Sequence, residues 1–337
     1  MPNLKTTLKN TALRALRGTG AYSVAANSAA RRSKLLILCY HGIALRDEAE
    51  WAGHLYITAE RFRERMECLR ALNASVLPLG DAVARLKANS LPPRSVVITF
   101  DDGFYDFLHH GVPILSEFRF PCTLYLTTHY MGKPYPIFNL MLDYLLWKSG
   151  QSEVSFSEQG IAEPLSIIDW KRRRDIVQRL VAWLEAQKLD TAAKNGFVSN
   201  LATQFEIDYD DLLRSRIGQI LTPEEVVRVA RAGIDIELHT HRHRTPRIRD
   251  QFVREIDDNR VRIAEITGRQ PVHFCYPSGV HADDFLPWLH DCGVETATTC
   301  ERGFARSESN PLLLPRLLDD SNMDLVQFEA FVAGVLS

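Results

Sequence analysis

The segment Val96-Val97-Ile98-Thr99-Phe100-Asp101-Asp102-Gly103 constrains the fold more than any other. Its run of β-branched and aromatic side chains packs well on a pleated surface and predicts a buried strand. The run stops at two adjacent carboxylates and a glycine. Neighbouring residues on a strand face opposite sides, so two acids serving one site must stand where the strand becomes a loop. Gly103 frees the backbone for that turn. In parallel α/β folds, ligands are bound at the carboxyl ends of strands. Taken alone, the segment also fits an ordinary Asp-Asp-Gly turn after a core strand.

The same rhythm recurs along the chain. Residues 35–40 are continuously apolar, as in an interior parallel strand, and finish at His41-Gly42. Strand-like runs follow at 121–126, 234–238, 272–276 and 295–299. Helical spacing covers 58–73, 78–89, 105–118 (with Pro113 inside it or at a break), 222–232, 252–267 and 285–292. Thr222-Pro223-Glu224-Glu225 supplies a cap, a proline at the first helical position and a glutamate three residues after the cap; Gly233 ends that helix. Strands alternating with helices predict a parallel sheet or barrel. From 132 to 220 the rhythm turns helical. The stretch 170–188 carries Ile176, Leu180 and Leu184 on one stripe. Its Arg172, Arg173 and Arg174 oppose the positive end of the helix dipole, which puts them on a solvated face or against an anion or acidic neighbours. Residues 132–220 therefore read as a helical, lid-like insertion in a core built from 34–131 and 221–337.

Charge is balanced, 40 basic against 42 acidic residues, so no global field points to nucleic acid. Six scattered cysteines lack paired metal-type spacing, and three of them (Cys39, Cys122, Cys275) lie in or beside apolar runs, as buried free thiols do. This favours a reducing compartment. No stretch of roughly twenty apolar residues predicts a membrane span. Residues 1–33 hold bases and no acid, and Leu4, Leu8, Leu13 and Leu16 can share one helix face. Such a helix suits an anionic membrane surface, and equally a surface position packed on the domain. An organellar transit peptide shares the composition.

The second polar cluster is His239-Thr240-His241-Arg242-His243, directly after a strand-like run. Two imidazoles and one carboxylate make a three-ligand metal site with a position left for water. His239 and His243, four residues apart, can face one ion if the chain coils there. The alternative is a generic polar loop.

Together, Thr99-Phe100-Asp101-Asp102-Gly103 and His239-Thr240-x-x-His243 resemble the first two motifs of the polysaccharide deacetylase family, the NodB-homology carbohydrate esterases. Phe274-Cys275-Tyr276-Pro277-Ser278-Gly279 resembles a variant of the family's groove motif. Leu38-Cys39-Tyr40-His41-Gly42 resembles the opening strand of exopolysaccharide-type members, including poly-N-acetylglucosamine deacetylases. The resemblance spans roughly residues 34–320. It implies a distorted (β/α) barrel of about seven strands with its site at the strand C-terminal rim. It also implies a divalent metal, zinc, on Asp102, His239 and His243, and Asp101 as the base that takes a proton from the attacking water. A backbone N–H near 121–123 or 276–277 would hold the oxyanion.

The chain departs from the family pattern in three places. Cys275 stands where many members carry the arginine that orients the base, and Arg316, in Leu314-Pro315-Arg316-Leu317, is expected to reach Asp101 instead. The late Leu-x-His motif is absent, which leaves His41 as the candidate general acid. Ser278 replaces a common tyrosine. Tyr276, Pro277, Ser278 and His129 are expected to line the substrate groove, His241 to point outward or support its loop, and His109 and His110 to face solvent.

The resulting expectation is a metal-dependent N-deacetylase acting on N-acetylated amino sugars of a cell-surface glycan or its lipid- or nucleotide-linked intermediate. It would work on the cytoplasmic side, with peripheral membrane contact through the N-terminal helix. The alternatives are a metal amidohydrolase on a small amide or imide, and a non-catalytic glycan-binding protein of the same fold.

Overall fold

A computed structural model describes residues 4–157 and 160–336, with side chains described for all of these except 4–8, 161 and 162. Seven parallel strands form its centre: β1 (Leu36–Tyr40), β2 (Ser95–Phe100), β3 (Thr123–Leu126), β4 (Asp235–Leu238), β5 (His273–Cys275), β6 (Thr296–Arg302) and β7 (Leu314–Leu318). Each strand pairs with the next in the chain, and β1 pairs with both β2 and β7, which closes the sheet into a barrel. The register across the closure sets Cys39 opposite Thr99 and Leu38 opposite Leu317. This is the (β/α) barrel that the resemblance implied, one of the two forms that the alternation allowed. A short strand, Ser75–Val76, adds beside the start of β2.

Every residue of β1 and β2 is buried, which is why both read as unbroken apolar runs. On the outside, Phe62 of helix Ala59–Ala71 meets Tyr40 and Phe100 edge-on, with ring centroids 5.1 and 5.4 Å apart. Burying aromatic side chains of this size is worth about 1.5–3 kcal/mol each. Helix Pro223–Arg231 starts as its sequence requires: Thr222 Oγ1 accepts from the Glu225 amide and Glu225 accepts from the Thr222 amide. Phe107–Gly111 forms a π-helical turn before helix Val112–Phe118, which places Pro113 in that helix's first turn, where a missing N–H costs nothing.

β7 lies beyond the runs that read as strands, because Pro315 interrupts it. Proline cannot donate to a ladder, and the β6–β7 register shifts at this point. Between β3 and β4 run helices Phe138–Lys148, Trp170–Ala186, Thr191–Gln204 and Tyr209–Arg214, together with an unforeseen antiparallel hairpin, Glu153–Phe156 with Ile161–Ser166. They share an apolar cluster that includes Leu145, Ile176, Leu180 and Leu201.

The N-terminal helix Leu4–Gly18 docks on helix Leu325–Ala333. Leu13 is buried in a cluster with Val326 and Ala330, and Arg17 pairs with Glu329 at 3.0 Å. Leu16 remains exposed, and the side chains of Leu4, Lys5 and Leu8 lie outside the described residues. All six cysteines are free. Among the described residues, no helix is long and apolar enough to cross a membrane.

Candidate active site

The end of β2 delivers the two carboxylates to different partners. Asp101 is buried and Arg316 of β7 grips it with two parallel hydrogen bonds, each 2.7 Å. The rest of the guanidinium is equally committed: it donates to the Thr299 carbonyl at 2.9 Å, the Thr99 hydroxyl at 3.1 Å and the Cys275 sulfur at 3.1 Å. Cys275 Sγ also lies 3.4 Å from Asp101 Oδ2. A residue larger than cysteine at 275 would displace the arginine, so the departures at 275 and 316 belong together. Burial alone would push the Asp101 carboxyl upward. The charge and hydrogen bonds of Arg316, helped by His41 and His239, outweigh it and hold Asp101 far below the usual carboxylate range.

Asp102 turns the other way. Its backbone has φ +73°, and Gly103 follows at φ +89°, where a Cβ would sit 2.3 Å from Leu126 Cδ1. This strained corner sends Asp102 Oδ1 to His239 Nε2 at 3.2 Å and to His243 Nε2 at 3.1 Å. The ligand-type atoms of these three residues all lie within 4.8 Å of one another. Burial disfavours the charged forms of Asp102 and His243. Their mutual attraction outweighs it, holding the carboxyl low and the imidazole high. His239 Nδ1 faces the Cys275 carbonyl at 2.9 Å, so that nitrogen carries the proton and Nε2 presents its lone pair to the cluster. Two imidazoles and a carboxylate with a fixed tautomer fit a divalent metal of zinc type.

Two residues absent from the sequence reading hold this arrangement. Asn259 accepts the His239 amide at 2.9 Å and donates to the Leu126 carbonyl and Thr128 hydroxyl, each at 2.9 Å. Glu255 accepts the Arg242 amide at 2.7 Å and the Arg244 guanidinium at 2.8 Å. Both lie on helix Arg249–Thr267, on the face that carries Phe252, Ile256 and Ile263, and both are buried. Polar residues four apart on an apolar stripe were the available signal. Thr240 and His243 sit at φ +62° and +54°, conformations that these partners sustain.

The structure places His41 beside Asp101, its Nε2 3.7 Å from Oδ2. Burial lowers its basicity, although Asp101 and Asp102 pull the other way, and its Nδ1 is buried without a partner among the described residues. His241 supports the loop, as expected: its Nδ1 meets the Thr128 hydroxyl at 2.9 Å and its ring stands edge-on to His129. His129 is half-buried and pairs with Lys133 Nζ at 2.9 Å. Ser278 is exposed, at φ +56°. The groove assignment needs correcting at two positions. Tyr276 is fully buried, with its hydroxyl spent on the Leu312 carbonyl at 3.0 Å and its amide on the Thr298 carbonyl at 3.2 Å. Pro277 is buried with it. Both brace the end of β5 and neither offers a groove wall or a free N–H. His109 is exposed and His110 partly so.

A parallel barrel whose strand ends gather an Asp–Arg pair and a two-histidine, one-aspartate cluster offers the donor set of a three-ligand metal site. The profile of the family described as polysaccharide deacetylase matches residues 169–297, which include the histidine cluster. A curated relative, the poly-beta-1,6-N-acetyl-D-glucosamine N-deacetylase of Staphylococcus epidermidis, is 29% identical over 76 residues. That segment is 23% of this chain and 26% of the relative. The deacetylase PplD of Streptococcus pyogenes, solved with acetate, superposes with TM-score 0.58 at 18% identity, covering 88% of this chain and 98% of its own. IcaB of Ammonifex degensii gives TM-score 0.56 at 15% identity, covering 89% and 96%. At such identities the structural likeness is one of fold. Residues 169–297 are thus similar to the polysaccharide deacetylase family, and the chain as a whole shares the fold of these two solved proteins.

Proposed function

We propose that this protein hydrolyses N-acetyl groups from amino sugars of a cell-surface glycan or its lipid-linked intermediate. The observation that carries the reading is the division of labour between neighbouring carboxylates, Asp101 locked on Arg316 and Asp102 on two imidazoles. Asp102, His239 and His243 would hold a divalent metal, zinc by its donor set, which supplies Lewis acidity toward the acetamide carbonyl and lowers the pKa of water.

In this reading Asp101 is the base. Arg316 fixes its orientation and keeps it ionised, so it stands ready to accept the proton of the attacking water. The same charge makes Asp101 a poor place to keep that proton. His41, 3.7 Å away, is the group positioned to receive it and pass it to the departing amine nitrogen. Ser278 and His129 are the exposed candidates for sugar contact, and residues 132–220 serve as an insertion beside them. A non-catalytic glycan-binding protein would have no need of an intact Asp101, Asp102, His239 and His243.

We place the reaction on the cytoplasmic face. The exposed Leu16 and the nearby Arg14 support contact of the N-terminal helix with an anionic surface. The test is acetate release from a panel of lipid-linked and polymeric N-acetylated glycans, with cyclic amides alongside and metal analysis on the same sample. Acetate from amino sugars with a bound divalent metal is the expected result. Turnover of cyclic amides alone would replace the reading, and release only from finished, exported polymer would overturn the location.

A further inference from the structure

A cavity of about 580 Å³ opens between the loop after β3 and helices Phe138–Lys148, Trp170–Ala186 and Thr191–Gln204. None of Asp101, Asp102, His239 or His243 lines it. It reaches the same loop from another side, because His129 in its wall donates its amide to the His241 carbonyl at 2.7 Å and sets its ring against the His241 ring. Its size is that of a small-molecule site, a class that spans roughly 300–1,000 Å³.

The charges around this cavity are unbalanced. Lys133, Arg174 and Lys194 line it against a single carboxylate, Glu185. Among the described residues, none of the three cations has an ion-pair partner. The neighbouring arginines of the same helix do: Arg172 pairs with Asp169 at 3.2 Å and Arg173 with Asp143 at 3.0 Å. Of the three arginines that oppose the helix dipole, Arg174 is thus the one left facing open space. Burial and the charge of Lys133 push the His129 imidazole down to about 4, so at neutral pH it adds no charge of its own. Tyr130 and Phe138 supply flat apolar faces in the same wall, with the Lys133 ammonium 5.2 Å from the Tyr130 ring centre.

We propose that this cavity binds an anionic sugar. Its phosphate or carboxylate is held by Lys133, Arg174 and Lys194, and its ring lies against Tyr130 and Phe138. Clustered cations with no carboxylate partner gain charge-assisted hydrogen bonds from such a group, while a neutral sugar would leave them unmatched. The link to catalysis rests on the deacetylase reading: the site would select glycans whose acetylated amino sugar is attached to a phosphate or an acidic sugar.

Calorimetric titration of the full chain tests the site without turnover. The probes are N-acetylglucosamine 1-phosphate, a glucuronate–N-acetylglucosamine disaccharide and the neutral N-acetylglucosamine dimer. At least one acidic probe should bind roughly tenfold or more tighter than the neutral one. The Arg174→Glu/Lys194→Glu double variant should lose that preference. Arg179→Glu, the same substitution as at Arg174 and on the same helix but outside the cavity lining, should keep it. Preference for the phosphate probe names phosphate as the source of the anion, and preference for the disaccharide names an acidic sugar. Acidic probes that bind no tighter than the neutral dimer overturn the proposal. So does a preference that survives in the double variant, which would place the anion elsewhere, or one lost equally in Arg179→Glu. Acetate release from the neutral dimer by the unaltered protein reports on the deacetylase reading separately.

Discussion

Arg316 and Arg174 mark two regions of the molecule that treat charge in opposite ways. At the barrel rim, Arg316 is buried with every donor engaged, Asp101 is matched to it, and Glu255 closes on Arg242 and Arg244. The backbone there is forced into positive φ at Asp102, Thr240, His243 and Ser278. In the helical region after β3, Arg174, Lys133 and Lys194 surround open space. Matched, buried charge on a strained backbone fixes atoms for chemistry, and its members cannot be removed cheaply. Unmatched charge around a cavity leaves a capacity to bind, and its removal should scarcely disturb the fold.

Stability measurements on the two arginines sharpen this contrast most. Arg316→Met strands the buried Asp101 carboxylate and should cost about 3–5 kcal/mol in urea denaturation, whereas Arg174→Met should stay within about 0.5 kcal/mol. Equal losses would erase the distinction. The next effect is on metal affinity. Asn259→Ala frees the His239 amide and the loop behind it, which should weaken zinc binding about 10–100-fold in a chelator competition. Unchanged affinity would mean that the loop holds itself.

A smaller effect concerns Glu237, buried on β4 with its carboxylate accepting the Val272 and His273 amides. Burial first, then the Asp235 carboxylate, pushes its carboxyl up to about 8. The folded chain thus keeps a proton there that the unfolded chain has released, and stability from this group is full below pH ~4 and lost as pH rises toward 8. Glu237→Gln preserves the acceptor and cannot ionise. Its gain over the unaltered protein should be absent at pH 4 and grow steadily as the pH rises to 9. A pH-independent difference would assign its effect to packing. The smallest expected change is Arg179→Glu, within about 0.5 kcal/mol of the unaltered protein, as for an exposed helical position with no ion-pair partner among the described residues.

Much of the barrel was legible because parallel interior strands are apolar on both faces, as residues 35–40 and 96–100 are. The polar residues that end them stood out for the same reason. Asp101, Asp102, His239 and His243 converge, and Arg316 reaches Asp101 across the barrel. β7 was hidden by Pro315, a residue that argues against a strand until a register shift accommodates it. Glu255 and Asn259 were hidden because they sit on the apolar stripe of a helix that reads as an ordinary packing element. The hairpin at Glu153–Phe156 shows only Val154 and Phe156 as its buried alternation, too short a signal to name. Tyr276 and Pro277 were misplaced because a motif fixes where a strand ends, while which side chains stay open depends on contacts such as that of Tyr276 with Leu312.

The central claim is that adjacent carboxylates do separate work. Zinc content and acetate release, measured together on Asp101→Asn and Asp102→Asn, test it most directly. The account predicts that Asp101→Asn keeps its zinc while kcat falls about 10²–10⁴-fold, and that Asp102→Asn loses zinc and activity together. An Asp101→Asn protein that retains full turnover, or that loses zinc as readily as Asp102→Asn, would contradict it.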